Sequence, residues 1–177
     1  MTRRHQELAA GRWFELSLVT QLANIGSENV AKDLDAIRAA IGDDKLTYLG
    51  YSYGTRIGAE YAEQFPTKVR AMILDGARLT VGGEFDFSRG LPLMIVHADE
   101  DFALPYADAV AAYAESAPPK WFVTLHEFAH ASPFENDPDP ADDVVTASTI
   151  AFWDLYLAGD GSAEQRLVDA IVPADLA

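Results

Sequence analysis

Between Lys45 and Phe65 the sequence runs KLTYL, then GYSYG, then TRIGAEYAEQF, and this succession constrains the fold more than any other stretch. The first run is short, apolar and closed by glycine, as a buried strand is. The last carries Ile57, Ala59, Tyr61, Ala62 and Phe65 at helical spacing and stops at Pro66. A strand that becomes a helix within five residues brings its backbone close to itself, and Gly50 and Gly54 remove side chains that would collide there. Such a strained turn projects its central side chain, Ser52, out of the sheet, with the amino-terminal dipole of the helix aimed at it. G-x-S-x-G alone is a weak signal, and the strand before it and the helix after it give it weight. Ser52 is therefore the candidate nucleophile, set against the plainer reading of a serine in a turn.

The pattern continues on both sides. SENVAKDLDAIRAAI (27 to 41) places Val30, Leu34, Ile37 and Ile41 on one stripe, which predicts a helix capped by Ser27 and stopped at Gly42. VRAMILDGA (69 to 77) and LPLMIVHADED (91 to 101) hold continuous apolar runs, as strands buried on both faces of a parallel sheet do. PYADAVAAYAESA (105 to 117) predicts a helix, WFVTLHEF (121 to 128) a strand, and DDVVTASTIAFWDLYLAG (142 to 159) a long helix stopped by Gly159. The alternation implies an α/β fold with right-handed crossovers. The first 25 residues are ambiguous: Phe14, Leu16 and Leu18 alternate as on a strand, while Leu8, Leu16, Val19 and Ala23 fit a helical stripe, the reading preferred here.

Composition narrows the partners. In 177 residues, 13 Lys and Arg stand against 28 Asp and Glu, and the net charge of −15 repels nucleic acid and anionic membrane surfaces. With no cysteine there is no disulfide scaffold, no zinc-thiolate site and no Cys nucleophile. No cofactor or metal is expected. ENDPDPADD (135 to 143) reads as a surface loop whose Asp137, Asp139, Asp142 and Asp143 form a solvated charge run rather than a calcium site. The amino terminus lacks the apolar stretch of a signal peptide or membrane span, so the chain as given is expected to be soluble and cytoplasmic.

A nucleophilic serine needs a base, and the base an orienting carboxylate, both just past the carboxyl ends of strands. Of four histidines, His5 precedes the folded pattern and His97 and His126 fall inside expected strands. His130 alone follows a strand in a loop, AHASPF, and is the candidate base. Among the acids, Asp75, Asp99, Glu100 and Asp101 all lie at strand ends, with Asp75 best read as a strand-end cap, and position alone does not choose between them.

Residues 25 to 77, IGSENVAKDLDAIRAAIGDDKLTYLGYSYGTRIGAEYAEQFPTKVRAMILDGA, resemble the tripeptidyl-aminopeptidase-like serine hydrolases of actinobacteria, members of the α/β-hydrolase superfamily. Residues 91 to 158, with LPLMIVHADEDFALPYADAVAAYAESAPPKWFVTLHEFAHASPF, are more similar to the carboxyl-terminal half of actinobacterial lipase, esterase and polyester-hydrolase-like α/β-hydrolases. By that resemblance, H-x-D-x-D-x-x-x-P makes Asp101 the triad acid, with Pro105 following and Ala98 where glycine is usual. The histidine motif falls on EFAH, giving His130 with Glu127 in place of glycine. Tyr53 supplies one oxyanion donor through its backbone N–H.

The resemblance also marks departures. Only 49 residues precede Gly50, no HG motif occurs among them to supply a second oxyanion N–H, and 13 residues separate Ala77 from Leu91 where the aminopeptidases carry a lid. The expected architecture is a single domain with a reduced, lidless α/β-hydrolase fold and a mostly parallel sheet of about four strands flanked by helices. Its KLTYL strand is a bare edge: residues 6 to 24 cover it, two chains pair there in a homodimer, or the protein is only marginally stable. The expected activity is hydrolysis of small or accessible carboxylic esters. The alternatives are a peptidase of the tripeptidyl-aminopeptidase type acting on a small peptide, and an inactive half-hydrolase that serves as a folded or dimerising module. Family members are often secreted, an implication of the resemblance alone.

Overall fold

The computed structural model of the chain describes residues 26–77, 85–130 and 140–175, with side chains through residue 171. The expectations for residues 1 to 25, for the acidic run at 135 to 139 and for most of the connection after Ala77 lie outside the described residues. Four parallel strands form one sheet in chain order: β1 Leu46–Tyr51, β2 Val69–Asp75, β3 Leu93–Ala98 and β4 Lys120–Leu125. Helix α1 Ser27–Ala40 precedes β1, and α2 Tyr53–Gln64 with a 3₁₀ turn, Pro66–Lys68, joins β1 to β2. Helix α3 Tyr106–Glu115 joins β3 to β4, and α4 Pro140–Trp153 and α5 Ala163–Asp175 follow.

The two-residue period of the strands sorts the core into two layers. Met72 and Leu74 of β2 and Leu93 and Ile95 of β3 face α1, α2 and α3, meeting Ala31, Ala59, Tyr61, Ala62 and Ala109. The alternate residues Ala71, Ile73, Met94 and Val96 face α4 and α5, meeting Ala151, Phe152, Leu167 and Ile171. Because β2 and β3 are buried on both faces, their sequences are continuously apolar. Among the described residues β1 and β4 are the edges, and Leu49 of β1 is 53% exposed.

Several local expectations are corrected. Gly26, not Ser27, is the cap residue of α1, and the Ser27 hydroxyl instead bonds the Tyr53 hydroxyl at 2.8 Å. Ile37 and Ile41 are exposed, because α1 turns Ala31, Leu34 and Arg38 toward α2. Arg38 is satisfied there by Asp35 at 2.8 Å and by the Asp43 carbonyl, and Tyr61 donates to the same Asp35 carboxylate at 2.9 Å. β4 ends at Leu125, which leaves His126 outside the strand. Of the two overlapping expectations for Asp142 and Asp143, the helix holds and the loop does not: both lie in the first turn of α4, where the helix dipole favours negative charge. That helix continues through a wider turn, Asp154–Ala158, and stops at left-handed Gly159. Helix α5, absent from the sequence reading, packs on the same face through Leu167 and Ile171.

Gly58 of α2 marks the tightest helix-to-sheet contact. A Cβ there would lie 2.5 Å from Tyr48 Cε1, 2.8 Å from Tyr48 Cδ1 and 3.1 Å from Leu74 Cδ2. Tyr48 cannot retreat, since its hydroxyl donates to the Gly54 carbonyl at 2.7 Å. The ordinary gain of alanine over glycine in a helix, about 1 kcal/mol, is therefore overridden. Gly58→Ala is expected to lower stability by about 1–3 kcal/mol, as overpacked cores do, read as a lower urea midpoint at unchanged slope.

Candidate active site

Ser52 lies between the end of β1 and the start of α2 at φ 50 and ψ −120, a positive φ that a non-glycine residue adopts only when its surroundings hold it there. Three bonds hold it. Its N–H donates to the Asp75 carbonyl at 2.9 Å, and its own carbonyl accepts the Thr55 N–H at 2.9 Å and the Thr55 hydroxyl at 2.6 Å. Gly50 is sterically required, since a Cβ would meet the Gly54 carbonyl oxygen at 2.6 Å. Gly54 is not: a Cβ there would meet only the Tyr48 hydroxyl, at an ordinary 3.6 Å. The expectation that both glycines avoid collisions thus holds at the first position alone.

The three side chains singled out in the sequence meet across the carboxyl ends of β1, β3 and β4. Ser52 Oγ is 2.8 Å from His130 Nε2, and His130 Nδ1 is 2.5 Å from Asp101 Oδ2. Asp101 is buried, and its Oδ1 accepts the N–H groups of Ala103 and Leu104, each at 2.8 Å. That leaves Oδ2 turned to the imidazole. A carboxylate oxygen only accepts, so Nδ1 carries the proton and Nε2 accepts from the Ser52 hydroxyl. Tyr53 is the first residue of α2, where backbone N–H groups have no partner within the helix and point toward the amino-terminal end. The other acids lie elsewhere: Asp75 is buried at the end of β2, and Asp99 turns toward His126 and Glu127.

Three neighbours complete the site: Tyr51 and Gly76 went unassigned in the sequence, and His97 is the packed, hydrogen-bonded strand histidine expected from it. Tyr51 donates its hydroxyl to the His130 carbonyl at 2.9 Å and stacks on the imidazole with centroids 5.6 Å apart. Its place beside Ser52 was the available signal. Gly76, at φ 58, gives His130 room, since a Cβ there would meet the imidazole Cε1 at 2.9 Å. His97 is wholly buried: its Nδ1 accepts the Ala77 N–H at 3.1 Å, so the proton is on Nε2, 3.1 Å from the Leu104 carbonyl and 3.5 Å from Asp101 Oδ2. Burial holds His97 below the usual imidazole range, so it faces Asp101 as a neutral donor. Among the described residues no group of three or more His, Asp or Glu is placed to hold a metal ion.

The α/β hydrolase fold family matches residues 19–87. MGS-M2, an α/β hydrolase from a Medee basin deep-sea metagenome library, superposes with a TM-score of 0.59 at 13% identity, over 70% of each chain. The chain has the fold of the α/β hydrolases. Two curated relatives sharpen the likeness over a shorter stretch. Serine protease Hip1 of Mycobacterium tuberculosis is 82% identical over 56 residues, 32% of this chain and 11% of that protein. Tripeptidyl aminopeptidase of Streptomyces lividans is 54% identical over 54 residues, 30% of this chain and 10% of that protein. The matched stretch thus spans about a tenth of either relative. A mostly parallel sheet of about four strands is what the sequence predicts, and among the described residues the sheet has four, all parallel.

Proposed function

We propose that this α/β-hydrolase is a serine hydrolase acting on carboxylic esters through Ser52, His130 and Asp101. The observation that carries the reading is the unbroken relay from Ser52 Oγ to His130 Nε2 at 2.8 Å and from Nδ1 to Asp101 at 2.5 Å, mounted on a strained strand-to-helix turn. In the first half-reaction Ser52 gives its proton to Nε2 while Oγ bonds the ester carbonyl carbon, and the Tyr53 N–H receives the developing oxyanion. His130 then protonates the departing alcohol. Water, deprotonated by the same nitrogen, cleaves the acyl-enzyme and returns Ser52 to its starting state. Asp101 keeps the imidazole in the tautomer that can accept and steadies the imidazolium.

A second reading, peptide hydrolysis, is favoured by the names of the relatives, a serine protease and a tripeptidyl aminopeptidase. Esters are preferred because their alkoxide leaves more readily than an amide nitrogen, so they tolerate a weaker oxyanion hole. The test is labelling with a fluorophosphonate probe, mass mapping of the adduct, and turnover of a p-nitrophenyl ester against a tripeptide p-nitroanilide. Covalent modification of Ser52 that disappears in Ser52→Ala and in His130→Ala supports the hydrolase, and the substrate pair separates esterase from peptidase. A folded chain that stays unlabelled overturns both.

A further inference from the structure

We propose that Asp99 is a positioning residue for His130, a clamp that holds the histidine loop in a backbone conformation its own sequence disfavours. The inference rests on the triad reading above and extends it to a residue that touches none of the reacting atoms.

His130 follows β4 by five residues, and the turn that directs it back over the sheet passes through Glu127 at φ 64. That is the left-handed region, where a side-chain-bearing residue crowds its own carbonyl and a glycine does not. Glu127 and Ser52 are the non-glycine residues recorded at positive φ among the described ones, and both lie in loops that deliver a triad member. Something must hold Glu127 there, and Asp99 meets the need with both carboxylate oxygens. Oδ1 accepts the Glu127 N–H at 2.8 Å, and Oδ2 accepts from His126 Nδ1 at 2.8 Å. Two backbone bonds run alongside, from the Asp99 N–H to the Leu125 carbonyl at 3.0 Å and from the Glu100 N–H to the Phe128 carbonyl at 3.1 Å. The loop carrying Asp101 and the loop carrying His130 are therefore joined at two levels, and the short Nδ1–Asp101 bond forms between segments already fixed to each other. Asp99, one of the acids that strand-end position could not separate from Asp101, faces the other way and restrains the base from behind.

The test separates the clamp from the chemistry it serves. Two readouts are followed in the parent, in Asp99→Ala, in Asp99→Asn and in Asp99→Ala/Glu127→Gly. One is the rate of fluorophosphonate labelling at Ser52. The other is the low-field proton resonance of His130 Nδ1–H, assigned by its loss in His130→Ala, which reports the loop whether or not the serine reacts. Asp99→Ala is expected to slow labelling by about ten- to a hundredfold, as small misplacements of a catalytic group do, and to broaden the resonance away. Asp99→Asn keeps one carbonyl acceptor for the Glu127 N–H and is expected to fall between. Glycine at 127 adopts the left-handed turn unaided, so the double variant is expected to return to within about threefold of the parent, a non-additive rescue that requires coupling between the two sites. Parent-like labelling and an unchanged resonance in Asp99→Ala overturn the proposal, as does a loss that glycine does not restore. A parent that never labels counts against the hydrolase reading instead, and the resonance still decides the clamp.

Discussion

Asp101→Asn is expected to lower kcat by about 10⁴-fold without unfolding the protein, the scale of loss that follows when a triad imidazole is held in the wrong tautomer. The geometry dictates which way the new amide turns. Asp101 Oδ1 accepts two N–H groups, from Ala103 and Leu104 at 2.8 Å each, so the amide oxygen is kept there and the NH₂ takes the place of Oδ2. The NH₂ then confronts His130 Nδ1, now 2.5 Å from a carboxylate oxygen, as donor against donor. Relief comes when His130 moves its proton to Nε2, and an Nε2–H cannot take the proton of Ser52. The loop keeps its two N–H bonds, so the urea midpoint is expected to move little. Steady-state turnover of the ester that the parent cleaves, beside equilibrium unfolding, checks both halves. A fall of less than about tenfold would remove Asp101 from the mechanism.

The same residue shows where sequence reasoning stops. Strand ends were legible because β2 and β3 are apolar on both faces, and this placed Asp75, Asp99, Asp101 and His130 at one rim of the sheet. Which acid turns toward the imidazole depends on backbone N–H groups that captured one oxygen of Asp101, a fact with no signature in residue spacing. Family resemblance chose Asp101 where position could not. The stripe assigned to α1 held at Leu34 and failed at Ile37 and Ile41 for a related reason. Its buried side is lined by alanine and by an arginine neutralised through Asp35, so apolar periodicity pointed at Ile37 and Ile41, which face outward. Helix α5 was within reach, since Ala163, Leu167 and Ile171 recur at four-residue steps. Glu127 carried a signal as well: a glycine expected by resemblance and replaced by a bulkier residue marked the place where the backbone is strained.

Asp75→Asn is expected to stabilise the protein by about 4 kcal/mol at pH 8 and by almost nothing at pH 3. The Asp75 carboxyl is buried at the end of β2, where loss of hydration raises its pKa from 3.8 to about 7 against the opposing pull of the Gly76 N–H. Near pH 3 and below the group is protonated in the folded and unfolded chains alike, and the fold has its full stability. Between pH 4 and 7 the unfolded chain ionises while the folded one does not, so each unit of pH removes about 1.4 kcal/mol. Above pH 7 both states are charged and the loss is complete. Asparagine has the same shape and does not titrate. The difference in unfolding free energy between the two proteins at each pH, from urea titrations, isolates this one group because every other ionisation is common to both. A difference that stays flat from pH 4 to 8 would mean that Asp75 is charged in the fold throughout. The expected rise instead makes this residue a source of instability at neutral pH, placed where its carbonyl holds the Ser52 N–H at 2.9 Å and where the following Gly76 leaves His130 its space. On that account the stability that asparagine restores is stability the native sequence forgoes at the base of the candidate nucleophile.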